Sequence, residues 1–173
     1  MKLGHAHSNG YSAGSYFVQQ VVAGQECSEY TAELHGSKMS GRKPILQAFL
    51  IADRVYRDQQ TGKAIIVGVF DNINAPTVPV VHHECWAYAR IVGAPESFMV
   101  RLRLIDLTDN EEVGASEAFT ARNENGALAA CELTIQIPQV PFKRFGPYEF
   151  ELLINEEPLK GMRLTVKQHL RAA

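Results

Sequence analysis

The feature that most constrains this chain is the two-residue period of its apolar residues. In "FMVRLRLIDL", residues 98–107, Val100, Leu102 and Leu104 alternate with Arg101 and Arg103. Alternation of this kind sends successive side chains to opposite faces of a strand, so one face is buried and the other is wetted. The same period governs most of the chain from Pro44 onward, where apolar runs are divided by turn residues and no long segment follows a helical repeat. "PILQAFLIADRVY" and "AIIVGVF" flank "RDQQTGK", in which Gly62 can take the positive φ of a tight hairpin. "FGPYEFELLINEEPLKGMRLTVKQ" reads as a closing hairpin, with Tyr148, Phe150, Leu152 and Ile154 on one face, continued by Met162, Leu164 and Val166. Seven or eight strands at short spacing predict an all-β domain, a two-sheet antiparallel sandwich of immunoglobulin-like or C2-like kind over 44–168. A closed barrel is the alternative.

Residues 1–43 break the pattern. Gly, Ser and His are scattered through them and one apolar patch, "YFVQQVVAG", stands out, so they read as an N-terminal arm; 169–173 read as a tail. Met39 followed by "SGRKP" is a plausible second start, which makes 1–38 an extension to a unit beginning near Pro44. The patch is β-like and is expected to add a strand to the sheet edge of a partner or of another copy.

Composition narrows the function classes. Seventeen basic residues against nineteen acidic ones give a formal charge of −2, which offers no broad electrostatic reason to approach nucleic acid or an anionic membrane. The longest apolar runs fall short of the roughly 20 residues a membrane helix needs. Cys27, Cys85 and Cys131 are far apart with no paired spacing, which points to a reducing, cytoplasmic setting.

The residues 45–166 resemble a family. The hairpin pattern D-R-V-x-x-D-x-x-T-G-K at Asp53 to Lys63, the G-x-F-D-x-I that follows at Gly68 to Ile73, and the terminal G-x-Y-x-F-x-L strand resemble a family of uncharacterised bacterial β-sandwich proteins classed as a domain of unknown function. The resemblance implies the fold and carries no catalytic residue, ligand or cofactor.

The densest chemistry is "VVHHECWAYARI", residues 80–91, read as one strand. His83 and Cys85 then share one face, and His82, Glu84, Trp86 and Tyr88 the other, with Trp86 and Tyr88 anchoring a packed side. His82, His83 and Cys85 are the candidate zinc ligands, with Cys131, Cys27 or His169 as the soft groups that could complete a tetrahedral set. The competing reading makes Cys85 a small core residue and places the histidines at the mouth of the strand. Pairing of Cys85 with His83 as a nucleophile needs a closer approach than two positions along one strand provide. Calcium could be held by Asp53, Asp58 and Asp71, or by Asp106, Asp109, Glu111 and Glu112; solvated turns account for the same residues. His5 and His7 lie in the arm. Trp86, Tyr88, Phe142, Phe145 and Tyr148 could form an aromatic platform or simply fill the core. In "PQVPFKRFGPY", the residues Phe142, Lys143, Arg144 and Phe145 form a candidate partner-binding loop, since Pro138, Pro141 and Pro147 keep it out of a central strand. No phosphate-cradling glycine loop, G-x-S-x-G elbow or H-E-x-x-H is present. The expectation is therefore a non-enzymatic interaction or accessory module that binds a protein partner or itself. The alternative is a metal-binding protein or small metal-dependent enzyme built on His82, His83 and Cys85.

Overall fold

A computed structural model describes residues 21–23, 43–124 and 129–169, and every regular element among them is a β-strand. In chain order the first seven are β1 (Val21–Ala23), β2 (Ile45–Arg57), β3 (Ala64–Val69), β4 (Asn72–Ala75), β5 (Val80–His82), β6 (Cys85–Val92) and β7 (Ser97–Asp106). They are followed by β8 (Glu111–Ala115), β9 (Phe119–Arg122), β10 (Ala130–Ile137), β11 (Val140–Phe142), β12 (Gly146–Ile154) and β13 (Glu157–Gln168). Among the described residues, none forms a helix long and apolar enough to cross a membrane.

Thirteen strands thus stand where seven or eight were expected, and the excess has local causes. The stretch 80–91 does not run as one strand: it breaks at His83 and Glu84, because β5 leaves the sheet to pair antiparallel with β11. The stretch 113–122 also splits, and both β8 and β9 lie along β7 at different levels.

Five strands form one open sheet in the order β1-β10-β6-β2-β3; a second open sheet has the order β4-β13-β12-β7-β8, with β9 also on β7. Pairing is antiparallel throughout except between β4 and β13. Two hairpins follow from turn chemistry legible in the sequence. At the β2–β3 tip, Gly62 takes φ +66°, and the Asp58 carboxylate accepts the N–H groups of Gln60 and Thr61 at 2.8 Å. At the β12–β13 tip, Asn155 and Glu156 take φ +50° and +65°, the positive pair that a two-residue hairpin turn demands.

The inner faces of the two large sheets meet in one core. From the five-stranded sheet come Ile51, Cys85, Ala87, Ala89, Ile91, Leu133 and Ile135; from the other come Val100, Leu102, Leu104, Tyr148, Phe150, Leu152 and Leu164. Burying one such leucine contributes about 1.5–3 kcal/mol. The contributions differ in size: β6 supplies Ala87 and Ala89 to this core, while β12 supplies the rings of Tyr148 and Phe150. Trp86 and Tyr88, expected to anchor the packed side of β6, therefore lie on its outer face instead, because paired residues share a face and their partners Ala52, Leu50 and Thr134 point outward too.

Candidate functional site

The histidine-rich stretch is distributed among three structural jobs. His82 ends β5, half-buried, with its ring 5.0 Å from Phe70 and 6.5 Å from His83. Burial and the neighbouring His83 push its imidazole below the usual histidine range, against the opposing pull of Asp53. Glu84 is ion-paired with Arg54 across the β2–β6 junction. Cys85 is buried at 1% exposure opposite Ile137 and belongs to the core. Burial first, then the charges of Asp53 and Glu84, push its thiol up to about 12. Burial of this kind is the setting of a core cysteine, far from the electropositive, partly exposed surroundings that activate a thiol. Among the described residues, no three His, Cys, Asp or Glu side chains converge on a point where an ion could sit. Cys131 is buried at the other end of β10, where burial raises its thiol. His169 donates its backbone N–H to Ala75 O, and Cys27, His5 and His7 lie outside the described residues.

Five of the seven acidic candidates have partners within the fold. Asp58 caps the β2–β3 turn, and the N–H groups of Thr61 and Gln60 hold its carboxyl below the ordinary range. Asp71 accepts from the side chain of Asn72, and Glu112 pairs with Arg101 and Arg103. Asp106, only 2% exposed, accepts the N–H of Thr108 and lies 3.1 Å from Arg144 Nε; Asp109 takes Arg144 Nη2 at 2.7 Å. Asp106 foremost, and then Asp109, raise the Arg144 guanidinium further above its usual value.

The 142–145 segment is mostly consumed by the fold. Phe142 is 1% exposed and stands edge-on to Tyr148, with ring centroids 4.9 Å apart and planes at 80°. Tyr148 in turn donates its hydroxyl to Arg144 O at 3.0 Å and accepts the Arg144 N–H at 3.3 Å, so the ring belongs to the core while its polar tip ties down the chain four residues upstream. Phe145 packs against the same core, and Lys143 is the exposed member of the four. As an aromatic platform the five aromatics do not come together: Phe142 and Tyr148 are interior, while Trp86 and Tyr88 are outside the other sheet.

What the geometry does bring together is an apolar outer surface on the five-stranded sheet. Its register aligns Gln136, Trp86, Ala52 and Val69 across β10, β6, β2 and β3; Arg54 lies beside Val67 and Tyr56 beside Ile65. Ala52 and Thr134 are buried on this face, Trp86 is half-buried, and Tyr56, Ile65, Val67 and Val69 are exposed by 54%, 49%, 47% and 54%. Trp86 Nε1 and Thr134 Oγ1 are both buried, with no hydrogen-bond partner among the described residues. Three arginines are ion-paired here: Arg54 with Glu84, and both Arg90, at 2.6 Å, and Arg57, reaching from the end of β2 at 3.2 Å, with Glu132. The second sheet is the opposite: its outer face carries Arg101, Arg103, Glu149, Glu151 and Arg163 in a ladder of ion pairs, among them Arg103 with Glu151 at 2.6 Å. The exposed apolar side chains of β3, with Tyr56 beside them, depart from the in-and-out rule, and such a patch marks binding surfaces.

The edges differ too. β1 covers the β10 edge, with Val21 opposite Ile135 and Ala23 opposite Leu133, so the arm's strand addition takes place within the chain. β3 remains the open edge of that sheet. Its run Ala64–Phe70 contains no charge, no proline and four branched apolar residues. The run lacks alternation, which places apolar side chains on both faces of the strand.

A family model described as a family of unknown function, DUF6941, matches residues 47–167. A search of curated proteins found no match. Among solved structures, the Pseudomonas fluorescens alkylpurine DNA glycosylase AlkC bound to DNA containing an abasic site analog is 12% identical with a TM-score of 0.38, the match covering 72% of this chain and 30% of that one. The chain belongs to the DUF6941 family.

Proposed function

We propose that this member of DUF6941 is a non-enzymatic interaction module, an immunoglobulin-like β-sandwich that engages a protein through the outer face and free edge of its five-stranded sheet. The observation that carries the reading is the cluster of exposed apolar side chains Tyr56, Ile65, Val67 and Val69 at the β2–β3 end of one outer face, where the other outer face carries a ladder of ion pairs across its strands. The bond from Tyr148 back to Arg144 supports the sandwich assignment, being the tyrosine corner of that architecture. Free, buried Cys85 and Cys131 support a reducing, cytoplasmic setting. A protein suits the face better than nucleic acid or an anionic lipid surface, because Arg54 and Arg90 are already neutralised within it.

Site-specific photo-crosslinking in the source cells tests the reading. A photoreactive residue at Val67 is expected to give discrete protein adducts, and one at Glu149 on the charged face none. Adducts from both or from neither would overturn it. So would elemental analysis that found stoichiometric zinc in the untagged protein and lost it on His83→Ala, since that outcome establishes the metal reading built on His82, His83 and Cys85.

A further inference from the structure

We infer that the partner of the free edge is a second copy of this chain, paired β3 to β3, antiparallel and two-fold symmetric about Val67, so that two five-stranded sheets become one of ten. The inference rests on the interaction reading and names its occupant.

The sequence of the edge argues for a copy of itself. β3 and its flanks read Lys63, then the uncharged run 64–70, then Asp71. In an antiparallel pair of identical strands centred on Val67, Val67 meets Val67 of the second copy, Ile65 meets Val69, and Ala64 meets Phe70. Lys63 then faces Asp71 at both ends. Residues directly opposite share a face, so the three exposed side chains Ile65, Val67 and Val69 pair with one another and leave the water together. Both flanking residues are exposed, so their pairs add little affinity; they select this register, because a shift in either direction removes the opposite-charge contact at both ends. The interface is isologous and closes on itself at two copies.

The other open edge strands lack this property. β8 carries Glu111 and Glu112 near its start, charges that blunt an edge, and β4 is four residues long. β10 is covered by β1, itself an edge of only three residues. Among the described residues, β3 is the longest of the edge strands and carries no charge, with Gly68 at φ +68° within it.

Sedimentation of the purified full chain at rising concentration reads the association directly. The expected result is a monomer–dimer equilibrium that Val67→Lys shifts to monomer, because two like charges then face each other on the symmetry axis. Lys63→Asp and Asp71→Lys each weaken the dimer, and the double exchange Lys63→Asp/Asp71→Lys restores it. This set keeps the test valid if Val67→Lys fails to fold. Register is read by oxidation in a Cys27→Ser background: directly opposed Cα atoms lie within disulfide reach, so Val67→Cys crosslinks to itself, whereas Ile65→Cys crosslinks to Val69→Cys and not to itself. A monomer at every concentration overturns the inference, as does a dimer indifferent to these changes. If the chain is monomeric while Val67 still crosslinks a different protein in cells, the self-pairing fails and the interaction reading stands. If Val67 captures nothing, both fail.

Discussion

Removing one oxygen atom from Tyr148 tests how the core is tied to the crossing segment between the sheets. Tyr148→Phe keeps the ring and its edge-on packing against Phe142, and deletes only the hydroxyl that donates to Arg144 O at 3.0 Å and accepts the Arg144 N–H at 3.3 Å. The tyrosine itself is fully buried, so its hydroxyl has no water to return to, while Arg144 is half-exposed and its backbone groups recover part of their hydration. A net loss of about 1–2 kcal/mol is expected for the hydroxyl, near the middle of the range for leaving partly buried groups unpaired. At roughly 2–4 °C per kcal/mol for a chain of this size, Tm falls by about 2–8 °C. Urea unfolding followed through the fluorescence of the single tryptophan, Trp86, measures it, and an unchanged m-value shows that the native state kept its compactness. Tyr148→Ala is the companion: it removes the ring as well and is expected to cost about 3–5 kcal/mol. If Tyr148→Phe lands within the ±0.5 kcal/mol of an ordinary surface change while Tyr148→Ala costs the full amount, the corner bond does not hold the segment and the reasoning is wrong.

Leu102→Ala, at a fully buried site between the sheets, is expected to cost about 2–5 kcal/mol by the same urea assay; a smaller loss would mean that the two sheets do not share one core. In a Cys27→Ser background, Cys85 and Cys131 should resist alkylation until the protein unfolds, and rapid labelling of native Cys85 would contradict its burial and its raised thiol pKa. His82 is held neutral in the folded state by burial and His83, so the unfolded chain takes up its proton first, near pH 6.5, and the folded chain only at lower pH. Stability is therefore undiminished by this group above about pH 6.5 and declines as pH falls below it. His82→Gln should flatten that decline, and parallel stability–pH curves for the two proteins would remove His82 as its source.

Much of the fold was legible because it rests on local chemistry. Gly62 and the alternation around it announce the β2–β3 hairpin, and the alternation of Val100, Leu102 and Leu104 with Arg101 and Arg103 divides β7 into a buried and a paired face. β6 was harder, since "CWAYARI" is apolar on both sides, and the larger rings seem the natural core by area alone. The face is decided by pairing with distant strands, which puts Ala87 and Ala89 with the core formed by the other sheet and Trp86 and Tyr88 on the side of Ala52 and Thr134. The break at His83 and Glu84 depends on β11, more than fifty residues away, and leaves no local trace. The ties of Arg144 to Asp106 and Asp109 likewise join distant turns. The exposed edge was hidden for a different reason: a run of branched apolar residues carries no mark of its place in a sheet, and only sheet order shows β3 as the last strand among the described residues.

The three residues of β1 have a consequence for how far assembly can proceed. An edge strand of three residues offers a partner few backbone groups, whereas a long one can seat a whole strand. By pairing with β10, Val21–Ala23 replace an eight-residue edge with one of three residues. A chain trimmed to begin at Pro44, the natural choice for someone seeking a compact domain, would lose that short cap and expose the whole of β10 as well as β3, and its characteristic failure would be filaments and precipitate where the full chain yields discrete particles.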